Sequence, residues 1–346
     1  MPESPAPKTK IAVLERNRVV GQRIARVMSA SSGLGEVPVV DDPADLHGVL
    51  DAGPLLLGCD AVDLDLALGW MRERYPTMSL VVWTSGSTEG ALRAALAEPR
   101  LSSVIGWPSF ESMPRPWEIA LAVRRITHPF SPSPRLADLL GWGATVLKWR
   151  PRTSDDRDRV VAEVARWAER AGATERLAER LAELAHELLM NAMYDAPVDA
   201  DRNARYAFDR QQDIVLDDAE IPTLRLGTDG VHIAVQASDP FGGLRRHHVI
   251  EGILRGLEAR KESSPPGAIL DTSFGGAGLG MLKIYSAGAV LLADVEPGAA
   301  TTVTSFYDLD VNPREFRSLP ASLHFFQRTG LDPAERMSRV SIPAGR

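Results

Sequence analysis

Hydrophobic and polar positions follow two successive rhythms along this chain. Over roughly the first 125 residues, short apolar runs alternate with amphipathic stretches. The runs Ile11–Leu14, Pro38–Val40, Leu55–Leu57, Leu80–Trp83 and Ser103–Ile105 read as strands. Helices start between them near Val19, Ala44, Leu64, Thr88 and Pro116. Proline suits a first helical turn, where its missing N–H costs nothing. Strands that are apolar throughout, alternating with helices, predict a doubly wound parallel sheet covered on both faces.

Thr127-His128-Pro129-Phe130-Ser131-Pro132-Ser133-Pro134 breaks this rhythm as a stiff Pro/Ser linker. Beyond it a strand is expected at Thr145–Trp149, then a helix over Asp156–Ala171. Val160, Val161, Val164, Trp167, Ala168 and Ala171 fall there at helical spacing, with Gly172 to end it. Thr174 is placed to cap a further helix whose apolar stripe is Leu177, Leu181, Leu184 and Leu188. Leu224–Leu226 and Val231–Gln236 flank the turn Thr228-Asp229-Gly230 and read as a hairpin. A helix at Met281–Ser286 and strands at Val290–Val295 and Thr302–Tyr307 complete an α+β sandwich. The expected fold is therefore α/β: a doubly wound unit over 1–126, a linker over 127–141, a sandwich over 142–312 and a tail over 313–346. In the tail, Phe316, Leu319, Leu323, Phe325 and Phe326 either pack back as a helix or meet a partner.

The five strand–helix units resemble the receiver domain of two-component response regulators. That resemblance implies acids after the first strand for a metal, a phosphate-accepting Asp after the third, a Ser or Thr after the fourth and a Lys after the fifth. Here those places hold Glu15-Arg16-Asn17, Asp60, Thr84 and Gly106-Trp107-Pro108. An indole cannot neutralise an acyl phosphate, so the expectation is a degenerate receiver serving as a protein-contact module.

Chemistry concentrates in three later motifs. Leu184-Ala185-His186-Glu187-Leu188-Leu189-Met190-Asn191-Ala192 puts Glu187 and Asn191 four residues apart, hence on one helix face. Ser238-Asp239-Pro240-Phe241-Gly242-Gly243 ends a strand, and Gly275-Gly276-Ala277-Gly278-Leu279-Gly280 opens a helix. Glycines let a backbone approach phosphate, and a helix start offers free amides. Taken in this order, E-x-x-x-N, an Asp-led glycine turn and G-x-G-L-G resemble the GHKL superfamily of gyrase, heat-shock chaperones, histidine kinases and mismatch-repair ATPases.

The resemblance implies ATP and Mg²⁺ as ligands. Asn191 would hold the metal, Asp239 would contact adenine, and Gly243, Gly276, Gly278 and Gly280 would line the nucleotide. Glu187 would be the general base or would position the attacking group. Leu244–Phe274, with Arg245, Arg246, His247 and His248, would be the lid. The strand, helix and motif-helix order looks most like the anti-sigma-factor serine kinases. His186 reads as a half-buried helix residue, and Asp195 brings a negative charge toward the phosphates.

Composition narrows the function classes. At 44% hydrophobic and 25% charged the chain is ordinary globular protein, and a formal net charge of -7 argues against a nucleic-acid footprint. One cysteine, Cys59, excludes an internal disulfide framework, and no apolar run approaches the roughly 20 residues of a membrane helix. The expectation is a cytoplasmic signalling protein that binds ATP–Mg and acts on a protein partner, such as a sigma factor or its antagonist, with no nucleic acid, no membrane, and room for a homodimer. Three mechanisms stay open: serine/threonine phosphorylation of the partner, a non-catalytic ATP-dependent switch, and a histidine-kinase remnant without its phosphoacceptor domain.

Overall fold

A computed structural model describes residues 9–109, 111–199, 201, 203–262, 277–309 and 319–328. The first half builds five parallel strands: β1 (Ile11–Leu14), β2 (Val39–Val40), β3 (Leu56–Asp60), β4 (Ser79–Thr84) and β5 (Leu101–Gly106). They lie in the order 2-1-3-4-5, a common doubly wound arrangement. Helices α1 (Arg18–Ser32) and α5 (Pro116–Thr127) pack on one face, where Ile24, Met28, Ile119 and Val123 bury against Ile11, Val13 and Val81. The short α2 (Leu46–Val49), with α3 (Leu64–Glu73) and α4 (Glu89–Ala97), covers the other face. Burial on both sides is why these strands read as unbroken apolar runs. Asn17 caps α1 by accepting from the Val19 and Val20 amides, and Gly33 ends it in the left-handed conformation.

The chain then crosses the sheet face instead of leaving it. Arg125 donates to the Ser131 carbonyl at 2.6 Å, Ser133 Oγ donates to Asp294 at 2.9 Å, and Leu136 is fully buried at the start of α6 (Leu136–Leu139). Strand β6 (Thr145–Trp149) leads into α7 (Ser154–Arg170), capped by Thr153 paired reciprocally with Asp156. Helix α8 (Glu175–Met190) begins where Thr174 Oγ1 accepts from the Leu177 amide. Its buried stripe includes Leu181, Leu184 and Leu188, each contributing about 2 kcal/mol of apolar burial. Strands β7 (Thr223–Thr228) and β8 (His232–Asp239) form the expected hairpin. Helices α9 (Arg246–Glu262) and α10 (Ala277–Ala287) follow, then β9 (Val290–Glu296) and β10 (Ala300–Asp308). Helices α7 to α10 share one core with α3 and α4.

Two expectations change here. Of the lid expected over Leu244–Phe274, Arg246–Glu262 is a 17-residue helix that buries Val249, Ile250, Ile253 and Leu254, and residues 263–274 lie outside the described residues. It clamps α4 through Arg93–Glu258 (2.7 Å) and a Lys261–Glu89 pair. The tail, open between a helix and a partner contact, instead supplies strand β11 (Ser322–Gln327). Phe316 lies outside the described residues.

Strand β11 joins the halves. It runs antiparallel to β5, with Leu323 opposite Val104, and parallel to β9, with Leu323 opposite Leu291. Among the described residues the result is one sheet of 11 strands in the order 2-1-3-4-5-11-9-10-8-7-6. Its seam is polar and buried. His324 Nε2 meets Glu118 at 2.9 Å, His324 Nδ1 meets Ser103 Oγ at 3.0 Å, and Arg115 reaches Glu118 (3.1 Å) and Asp308 (2.7 Å). A Cβ on Gly106 would stand 2.6 Å from the Pro320 carbonyl, so only glycine admits this approach.

Candidate functional site

Helix α8 does not stop at Met190 but widens into a π-helical turn over Asn191–Asp195. The Ala196 amide closes it on the Asn191 carbonyl at 2.9 Å. The turn is pinned from inside by Tyr194, which is 1% exposed. Its hydroxyl donates to the Gln212 carbonyl at 3.0 Å and shares a 2.9 Å hydrogen bond with Ser154 Oγ. Fixing Tyr194 inward leaves Glu187, Asn191 and Asp195 spaced four apart along the outer side. Such insertions recur where a helix carries function.

Glu187 is brought against the glycine motif, 93 residues further on. Its Oε2 lies 3.0 Å from where a Cβ on Gly280 would stand, so Gly280 is the gap that the carboxylate fills. Its Oε1 is 2.9 Å from Lys283 Nζ, one turn further along α10. Gly278 lies in the first turn of α10, while Gly276 lies outside the described residues. The Asn191 side chain makes no hydrogen bond with any described residue, which leaves its amide oxygen available. Asp195 takes both arms of the Arg210 guanidinium, one at 3.1 Å. Burial pushes the Asp195 carboxyl up and Arg210 opposes that. The negative charge foreseen at this point is therefore countered within the chain.

Asp239 closes β8, which packs against the π-helical turn. Its carboxylate accepts from the Phe241 amide at 2.9 Å, and the nearby Gly242 amide and Thr301 hydroxyl on β10 also favour its ionised form. Burial outweighs these bonds and pushes the carboxyl up to about 6. A carboxylate offers about four acceptor sites, so it retains capacity for an incoming amine. Within the turn, structural demand falls on Gly242, with φ of +63 and a would-be Cβ 2.0 Å from the Glu296 carbonyl. Gly243 is exposed with open space at its Cα, room that a ligand can use.

Sequence reasoning missed Lys283, Arg210, Gly242 and Thr301. Lys283 is legible as the third residue after Gly280 on a helix, and Gly242 stands directly beside Gly243. Arg210 sits in an irregular loop, and Thr301 reaches Asp239 only through the β8–β10 register, so neither had a local signal. Arg246, expected on a solvated lid face, instead donates to the carbonyls of Ala95 (3.1 Å) and Leu101. Burial there pulls its pKa down to about 10. His186 is half-buried as expected, and burial lowers its pKa.

At the carboxyl end of the parallel strands, the receiver-like positions are locked into structure. Glu15 accepts from Trp83 Nε1 at 2.8 Å and from the Asn17 amide at 2.9 Å, and burial raises its pKa. Asp63 pairs with Arg16 at 2.6 Å, Asp60 caps a turn through the Val62 amide, and Thr84 Oγ1 accepts from the Gly86 amide. Among the described residues, no cluster of three His, Cys, Asp or Glu side chains is placed to hold a metal. Among them too, no helix is long and apolar enough to cross a membrane.

No protein-family model matches the chain, and no curated protein matches it. Among solved structures, the SiaB-SiaC complex from Pseudomonas aeruginosa is similar at 14% identity over 47% of this chain and 88% of that chain, with a TM-score of 0.29. A likeness of that size carries no argument about function.

Proposed function

We propose that the second half of the chain binds ATP with Mg²⁺ and that the protein is a signalling regulator acting on a protein partner. One observation carries this reading. Glu187, from the E-x-x-x-N helix, fills the space over Gly280, from the G-x-G-L-G helix, although no local pattern ties the two segments together. The uncommitted Asn191 amide and the partly satisfied Asp239 carboxylate fit a metal-bound adenine nucleotide at the same end of the sheet. Bound ATP–Mg would supply a transferable phosphoryl group. Asn191 would ligate the metal through its amide oxygen, a hard donor suited to Mg²⁺. Asp239 would accept from the exocyclic amine of adenine, Gly243 would admit the base, and the start of α10 would face phosphate. In a kinase, Glu187 would take the proton from a serine or threonine hydroxyl of the partner.

The Lys283–Glu187 pair favours a second mode of the same site, a binding switch. A carboxylate held by an ammonium is not free to act as a base, so nucleotide binding without transfer is its simplest use. The first half, with its receiver-like strand order, would serve as the contact module. It is coupled to the site by Tyr285 of α10, whose hydroxyl shares a 2.9 Å hydrogen bond with Thr88 and donates to the Ala321 carbonyl at 2.7 Å.

The role given to Asp239 sets a pH dependence. The ionised form accepts from adenine, so affinity for adenosine is expected to rise as pH increases through about 6 and to level off above 7. Adenosine is the suitable probe because it carries no phosphate of its own. Calorimetry across that range checks this: a flat profile removes Asp239 from the base contact, and absent binding at every pH removes the nucleotide.

A further inference from the structure

We propose that Lys283 and Arg210 are the phosphate-binding cations of this site, each held at rest by a carboxylate that the arriving triphosphate displaces. The inference rests on the nucleotide reading above and adds the regulation of that site: Glu187 stays ion-paired until a phosphate takes its lysine. The two pairs stand on the same side of α8 and its π-helical turn, with Asn191 between them. Glu187 Oε1 holds Lys283 Nζ at 2.9 Å, and Asp195 holds the Arg210 guanidinium. Gly280 and Lys283 are three residues apart on α10, hence neighbours on one face. The ammonium that caps Glu187 therefore projects from the helix face expected to meet phosphate.

The pairing is built to exchange. Lys283 is 62% exposed while Glu187 is only 15% exposed, so the lysine head moves at little cost and the acid stays in place. An exposed single-charge pair is among the weakest of ionic contacts, whereas a multiply charged phosphate forms stronger charge-assisted bonds with the same ammonium. Arg210 presents a planar fork suited to bidentate phosphate contact. Two other arginines, Arg246 and Arg157, are committed elsewhere. Arg246 is tied to the Ala95 and Leu101 carbonyls, and Arg157 pairs with Asp158 and stacks on Tyr194. In the phosphate-bound state Glu187 is released over Gly280, close to where a nucleophile would approach.

Calorimetric titration with MgATP, MgADP and adenosine tests this on the full chain. Lys283→Met is expected to weaken MgATP about tenfold or more while leaving adenosine affinity unchanged, and Lys283→Arg to stay within about threefold of the wild type. Glu187→Gln is expected to tighten MgATP about threefold, because the competitor for Lys283 is gone. Arg210→Met should weaken MgATP without weakening adenosine. A Lys283→Met protein that binds MgATP as the wild type does, or a Glu187→Gln protein that binds it more weakly, overturns the assignment and leaves the nucleotide reading intact. A wild type that binds none of the three ligands overturns both.

Discussion

Replacing Glu118 with Ala is expected to lower the unfolding free energy by about 3–5 kcal/mol, among the largest effects of any single change in this chain. Glu118 is 0% exposed and lies opposite His324, which is also 0% exposed. It accepts from His324 Nε2 and from Arg115, and both donors keep their places when the acid is removed. Breaking one side of a buried pair strands the other, which is why the loss exceeds that of any surface ion pair. The seam also carries a pH signature. Burial pushes the Glu118 carboxyl up, but the His324 hydrogen bond and the Arg115 charge prevail and hold it below the ordinary glutamate value. A depressed carboxyl contributes stability that is fully present above its unfolded pKa, near 4.3, and is lost as pH falls through the lower folded value. Urea unfolding between pH 3 and 7 should show that acid loss in the wild type and a smaller one in Glu118→Ala. Equal midpoints at pH 7 for the two proteins would show that β11 is held by its backbone ladder alone.

The second large effect is in the site. Asn191→Ala is expected to abolish the Mg²⁺-dependent part of ATP affinity, a loss of at least about 100-fold, or ~2.8 kcal/mol. The residue offers a metal the one uncommitted amide oxygen on the outer side of the π-helical turn. Its removal leaves Tyr194 and the turn in place, so the protein should still fold. With the metal chelated, variant and wild type should bind ATP alike. Melting temperatures and paired titrations with and without Mg²⁺ read both outcomes, and an unchanged Mg²⁺ dependence would take Asn191 out of the metal site.

Much of the fold was legible because its signals are local. Ile11–Leu14 and Thr145–Trp149 are strands over the expected bounds. Thr174 caps α8, and Pro116 opens α5. What escaped depends on distant partners. β11 is a strand only because β5 and β9 leave a slot between them, and its His324 meets Ser103 of β5 from 221 residues away in sequence. Helix α9 was hidden by its Arg-His-rich start, although Val249, Ile250, Ile253 and Leu254 already carried helical spacing. In the site, Glu187 and Asn191 were legible from one helix face, whereas Arg210 and Thr301 reach it through a loop and a sheet register that no short window contains.

The most direct measurement is calorimetric titration of the intact chain with ATP in the presence and absence of Mg²⁺. The account predicts saturable one-site binding below millimolar ATP that strengthens when the metal is added. No heat of binding up to millimolar ATP with Mg²⁺ present would contradict it.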